Sequence, residues 1–346
     1  MKIRSFTHDH RFRNWGLLLS GLLLVFGLSL FIGRYPQPYW MPFRLLQEDE
    51  LARRLVLSLR LPRIIAALMM GASLAAAGNV LQMVFRNPLV GPGVLGVSQG
   101  AAFGAALSIL LIGTSPLAVE VSAIFFAFAG LILTYMIARN IRYGGWILRL
   151  ILSGIAISAL FSAGVGLIKY LADPLTQLPE ITFWLLGGLW SVTWREVVFM
   201  LPFVSIGLLL IYLLRWRLNL LSLSEATAFS LGSRTGRERA ILLTAAIAVT
   251  AAVTAIGGII AWVGLIIPHI ARRLFGAGAE RTIPASIILG GIFVLFCDNL
   301  ARTLRPGEIP LGIITASLGA VIFIVLMLSA GMRVQFKAID ASDIDS

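Results

Sequence analysis

The sequence predicts an all-α integral membrane protein of about ten transmembrane helices. Three observations carry that expectation. Of its 346 residues, 58% are hydrophobic and only 13% charged, whereas soluble domains carry about 25% charged residues. The mean hydropathy is +0.92. Apolar runs recur along the whole chain at about 20 residues, the length a helix needs to cross a hydrocarbon layer roughly 30 Å thick.

Taken in order, the candidate spans lie near 15–33, 62–84, 94–113, 117–138, 147–170, 197–214, 240–275, 284–304 and 309–329. The first follows a basic tail but is too long for a signal-peptide core. Gly33-Arg34-Tyr35 offers no small-x-small cleavage site, so the run reads as an uncleaved span. His8 and His10 in the tail read as solvated side chains, not metal ligands. The seventh segment is too long for one crossing, and Gly257-Gly258 near its middle permits a tight turn. Splitting it there gives ten spans and puts both termini on one side.

Charge supports the split. With it, the inner segments hold 18 Lys and Arg against 7 Asp and Glu, and the outer segments 10 against 9. That is the positive-inside bias expected of cytoplasmic loops. Without the split, Arg272, Arg273 and Arg281 would face outward. The stretch "IIAWVGLIIPHIARRLFG" therefore reads as a span running inward and ending on its arginines. The net charge of +12 belongs to this topology and not to a nucleic-acid surface. The whole chain, 1–346, reads as a single transmembrane domain with both termini cytoplasmic and a polar cytoplasmic loop at about 215–239. Small residues four apart, Gly96, Gly100 and Gly104, then Gly312, Ala316 and Ala320, predict close helix packing.

Several functions are excluded or disfavoured. None of the three lysines, Lys2, Lys169 and Lys337, closes a GxxxxGK[ST] phosphate loop, so the chain is not itself a P-loop ATPase. No HExxH, GxSxG or clustered His/Cys/carboxylate pattern is present, and Cys297 stands alone. The reading is therefore non-catalytic, with no cofactor bound by this chain. Glu120 and Asp298 are the only acids within the apolar segments, and both lie near an end. Ion-coupled carriers place ionisable groups nearer the midplane, so a secondary transporter is the disfavoured alternative. What remains is a translocation unit whose energy comes from a partner.

Two regions stand out as machinery. "SEATAFSL", Ser224 to Leu231, is a short amphipathic stretch with Ser224 able to cap it and Gly232 to stop it. It reads either as a knob for a partner or as a plain connection. "FRNPLVGPGVLG" interrupts helix with Asn87-Pro88 and Pro92, while Gly91 and Gly93 let the backbone turn. Irregular backbone at membrane depth is tolerated only against protein or water, so Asn87 and Leu89 are candidate cytoplasmic gate residues. On the preceding span, Asn79 and Gln82 share one helix face. They line a pathway or bond neighbouring helices.

Seven stretches together carry a family resemblance: "LRLPRIIAALMMGASLAAAG", "VFRNPLVGPGVLGVSQGAAFG", "FWLLGGLW", "EATAFSLG", "GGIIAWVGLIIPHIARRLFG", "DNLAR" and "EIPLGIITASLGAVIF". With these the chain resembles the FecCD-type permeases of ABC importers for iron-siderophore, heme and cobalamin. The resemblance implies the type II ABC importer permease fold in the inner membrane of a prokaryote. It implies a second copy of the chain, two cytoplasmic ATPases that use ATP and Mg, and an extracytoplasmic binding protein. It makes Glu225, Ala226, Thr227, Ala228, Phe229, Leu231 and Gly232 the helix that couples to the ATPase. It gives Arg60, Arg63 and Arg302 the role of meeting acidic residues on the binding protein. Iron-siderophore or heme is the expected cargo, with cobalamin or an oxyanion such as molybdate as alternatives. One departure stands out. Where the family usually has Gly-x-Pro-x-Phe in the last span, this chain has Val321 in place of the proline.

Overall fold

The computed structural model describes residues 3–35, 39–223, 227, 230 and 235–342. Helix α1 (Ile3–Phe31) leads through a two-residue antiparallel pair, β1 (Ile32–Gly33) with β2 (Tyr39–Trp40), to the short α2 (Leu45–Glu48) and α3 (Glu50–Leu55). A wider turn at Val56–Arg60 joins α3 to α4 (Leu61–Val84). The chain then runs through α5 (Val97–Leu111), α6 (Pro116–Asn140), α7 (Trp146–Leu171), α8 (Gln177–Leu186), α9 (Trp194–Leu213) and α10 (Arg215–Leu221). It closes with α11 (Thr235–Gly257), α12 (Val263–Phe275), α13 (Ala279–Thr303) and α14 (Leu311–Ser342). Among the described residues, eight helices are long and apolar enough to cross a membrane. The shorter apolar helix α5 and the short α12 occupy the remaining two places expected from the sequence. At 1.5 Å per residue they reach only about 20 Å.

Burial sorts the helices into a centre and a shell. The most apolar stretch of the helix ending in α4 is 83% buried, that of α11 72% and that of α13 56%. The corresponding stretches of α1, α6, α7, α9 and α14 are at most 33% buried. Leu23, Phe125, Leu160, Val198, Leu209 and Leu328 stand exposed on these outer helices, as lipid-facing or subunit-facing side chains do.

Close backbone approach holds the centre together. A Cβ built on Gly71 would lie 2.0 Å from the Gly290 carbonyl oxygen, and one on Gly78 would lie 1.9 Å from that of Gly264. Thus α4 presses directly on α13 and on the first turn of α12. The expected small-residue packing on α5 is present at Gly100 and Gly104, whose added Cβ atoms would meet the α6 carbonyls of Phe126 and Ser122. Gly96 does not belong to that ridge. With φ +77° it lies before α5, in the turn that follows Pro92–Leu95.

The long seventh segment breaks where the glycine pair predicts. Helix α11 ends at Gly257, and Gly258 takes φ +68°. The break is not a surface loop, because the Gly188 amide donates to the Gly257 carbonyl at 2.9 Å. A Cβ on Gly258 would lie 2.2 Å from the Trp184 carbonyl, and one on Gly312 2.2 Å from that of Leu186. The C-terminal end of α8, the break between α11 and α12, and the start of α14 therefore converge at one point.

Candidate functional site

The end of the bundle where α4 begins carries a cluster of arginines. Arg60 is 8% exposed, and its guanidinium donates to the carbonyls of Leu30 at 2.9 Å and Tyr35 at 3.3 Å. It thereby ties the end of α1 to the start of α4. Arg63 grips two carboxylates. It bonds Asp298 at 2.8–3.1 Å and both oxygens of Glu308 at 2.9 Å. Arg302 is 7% exposed, lies 3.8 Å from Asp298, and donates to the Ser29 carbonyl at 2.6 Å and to the Asn299 side chain. None of the three stands free at the surface. Buried guanidiniums need partners, and these take them from within the chain.

The same arginines nevertheless wall a cavity of about 410 Å³, together with Arg34, Tyr35, Trp190 and Glu308. Four guanidiniums face one lining carboxylate there, with Asp298 behind, so the space carries an excess of positive charge. Just outside the spanning helices, the Tyr35 hydroxyl donates to Asp49 at 2.7 Å. That hydrogen bond holds the Asp49 carboxyl below its ordinary range and lifts the Tyr35 phenol.

Trp190 also lines a second cavity of about 230 Å³, which holds Glu120, Glu180 and Glu196 beside Phe183 and Trp184. Glu196 is committed to capping α9, where it accepts from the Thr193 amide at 2.8 Å. Among the described residues no group of three or more His, Cys, Asp or Glu comes together to hold a metal ion.

Asn79 and Gln82 both bond neighbouring helices. Asn79 is fully buried and donates to Ser286 on α13 at 3.0 Å. Gln82 donates to the carbonyls of Gly264 and Leu265 at 3.2 and 3.1 Å and accepts from Arg272. It holds the start of α12 and its terminal arginine against α4. The Pro-His pair of that region is structural as well, since the His269 ring lies 3.0 Å from the Leu265 carbonyl.

At the opposite end of α4, the turn after Val84 is built as the sequence suggests. The Asn87 side chain accepts from the Leu89 amide at 2.9 Å, and its backbone carbonyl from the Val90 amide at 3.3 Å. This local bonding fixes the turn. Val90 is buried while Leu89 projects, 58% exposed.

Residues 21–329 match the model of the FecCD transport family. The chain belongs to that family. It is 40% identical over 321 residues to the molybdate import system permease protein MolB of Haemophilus influenzae, covering 90% of this chain and 94% of that protein. It is 39% identical over 322 residues to the Fe(3+)-citrate import system permease protein YfmE of Bacillus subtilis, covering 90% and 93%. It also superposes with a TM-score of 0.84, at 39% identity, on a structure described as an inward-facing conformation of a metal-chelate type ABC transporter. That match covers 91% of this chain and 98% of the other.

For a FecCD permease, two further placements matter. Of the expected coupling residues, Thr227 is helical and exposed, and its carbonyl accepts from Ser230 at 2.9 Å. Glu225, Ala226, Ala228, Phe229, Leu231 and Gly232 lie outside the described residues. Val321 lies within α14, which runs through that position unbroken, and it is 59% exposed. Keeping its N–H removes the reason for a kink. Sequence reasoning missed Asp298, Glu308 and Ser29 as partners of the arginines, and it missed helix α8. The acids were visible in "DNLAR" and "EIPLG"; what they face was not.

Proposed function

We propose that the chain is the translocation subunit of a binding-protein-dependent ABC importer and carries an iron-siderophore or heme complex by ATP-driven alternating access. The observation that supports this most is the near-complete superposition on a metal-chelate type transporter, with the exposed Leu89 turn at one end and the arginine cavity at the other. In this reading two copies of the chain pair, and two cytoplasmic ATPases dock at 215–239. The protein then lies in the inner membrane with both termini in the cytoplasm. The gate-loop end is cytoplasmic because the inner loops carry the excess of arginine. The energy comes from the partner ATPases, and this chain contributes no catalytic group.

The arginine cavity then opens to the outside and receives carboxylates of the binding protein. Arg60, Arg63 and Arg302 supply the field from within the wall, and no free surface charge is required. Complementary potential of this kind steers encounter more than it adds affinity. Asn87 and Leu89 form the cytoplasmic gate, the former by fixing the turn and the latter by projecting from it.

A second cargo reading, an oxyanion such as molybdate, is favoured by the 40% identity to MolB. The test is uptake into proteoliposomes holding the chain, its ATPases and its binding protein, supplied with radiolabelled ferric siderophore, heme or molybdate. ATP-dependent accumulation of the iron complex and not of molybdate is the expected result. The reverse overturns the cargo reading, and no ATP-dependent uptake of any of them overturns the importer reading.

A further inference from the structure

The two residues just past the end of α4 are tied to both of the stretches that flank residues 224–234. On one side Arg86 donates to the carbonyl of Leu223 and, at 3.5 Å, to that of Leu221. These residues end α10 and lead into the flanked segment. On the other side the ring of Phe85 stacks on Trp146 at 6.5 Å between centroids with 23° between planes. Trp146 in turn lies beneath the guanidinium of Arg239 at 4.7 Å, on the first turns of α11. Phe85 and Trp146 come from the ends of different helices, so the contact joins α4, α7 and α11 at a single stack.

The gate turn begins directly after Arg86, and its hydrogen bonds are all local. The Asn87 amide donates to the Gln82 carbonyl at 3.1 Å, and the rest run within 87–94. Leu89 thus hangs between residues 85 and 86 on one side and, on the other, the buried Val90 and the stretch from Pro92 that packs on Gly264 and Gly154. Arg86 itself takes φ +50°, a left-handed conformation that a non-glycine residue keeps only when its surroundings impose it. Above this point α4 is fixed by its contacts with Gly264 and Gly290.

We propose that Phe85 and Arg86 are the joint through which displacement of the 215–239 segment reaches the gate turn. The inference rests on the importer reading, because the joint has work only if an ATPase moves that segment. Its content is a positioning role. Arg86 transmits from the entry to the segment, Phe85 through Trp146 and Arg239 from the exit, and both deliver to the root of Leu89. Neither residue needs to touch cargo or ATP.

The experiment uses the complete transporter in proteoliposomes and reads cargo uptake and ATP hydrolysis together. Arg86→Gln shortens the donor so that it no longer reaches the Leu223 carbonyl. Trp146→Leu removes the stack without altering α4 or the turn. Each variant is expected to insert and assemble with the ATPases, to hydrolyse ATP within about two-fold of the parent, and to import at least ten-fold less cargo per ATP. Arg86→Lys, which keeps a long cationic donor, is expected to restore most of the lost coupling. The proposal is overturned if uptake per ATP is unchanged in both variants or if Arg86→Lys is no better than Arg86→Gln. It is equally overturned if Arg86→Gln fails to insert or to bind the ATPases, since the residue is then only structural. Failure of the parent transporter to import any cargo would instead strike the importer reading. The two failures are therefore told apart by the parent alone.

Discussion

Arg63→Ala is the sharpest probe of the arginine cluster. Its partner Asp298 has no exposed side-chain surface, while Glu308 is 37% exposed and Arg63 itself 11%. Removing the guanidinium leaves the Asp298 carboxylate buried, with only Arg302 nearby at 3.8 Å. Stranding one member of a buried pair costs about 3–5 kcal/mol. Glu308→Gln breaks a partly solvated pair and should cost about 0–1 kcal/mol. Replacing both buried partners, Arg63→Met with Asp298→Leu, strands no carboxylate but takes from the buried Arg302 the acid beside it, so it should recover only part of the loss. The assay is unfolding of the purified protein in a mixed-micelle SDS titration, with the three variants run beside the parent. Two results would refute the reasoning. One is Glu308→Gln costing as much as Arg63→Ala. The other is the paired replacement being no better than the single one.

Single contacts carry the other expectations. Gly258→Val adds a side chain at φ +68° and 2.2 Å from a carbonyl, so it should destabilise the bundle severely, whereas Gly16→Val, with nothing within 4 Å, should be silent in the same titration. Thr193→Ala removes the α9 cap and should cost about 1 kcal/mol; equal stability would show the cap to be redundant. A cysteine at Gly278 should react with impermeant thiol reagents from the cytoplasmic face only, the native Cys297 being buried, and labelling from outside would break the proposed orientation. Acid should weaken the Tyr35–Asp49 contact: the Asp49 carboxyl is depressed in the folded chain, so its contribution is present above the ordinary carboxylate range and fades as pH falls through the lowered value. Absorbance titration should show the Tyr35 phenol above the ordinary 10.0, a component lost in Tyr35→Phe.

The break at Gly257-Gly258 was legible because three local signals agreed: excess length, a glycine pair, and arginines that would otherwise face the wrong side. The Asn87 turn was legible for a similar reason, since its bonds join residues no more than five apart. The arginine cluster was not. Arg63 finds Asp298 235 residues away along the chain, and a sequence records the presence of both charges without recording that they meet. An arginine at a helix end looks the same whether it reaches toward water or inward to an acid, so no local signal announced the partners within the chain. Asn79 and Gln82 share that ambiguity: a polar pair on one helix face suits a watery pathway or a neighbouring backbone equally well. With α4 set deep in the bundle by glycines on α12 and α13, Asn79 meets the Ser286 side chain and Gln82 the Gly264 carbonyl. Helix α8 escaped for the opposite reason. Its ten residues are too short for a span, and they come after a polar turn in which Asp173 accepts from the amides of Leu175 and Thr176. What identifies it as part of the bundle is the approach of Gly187 to the Gly257 and Ile259 carbonyls, a contact between segments that lie seventy or more residues apart in the chain.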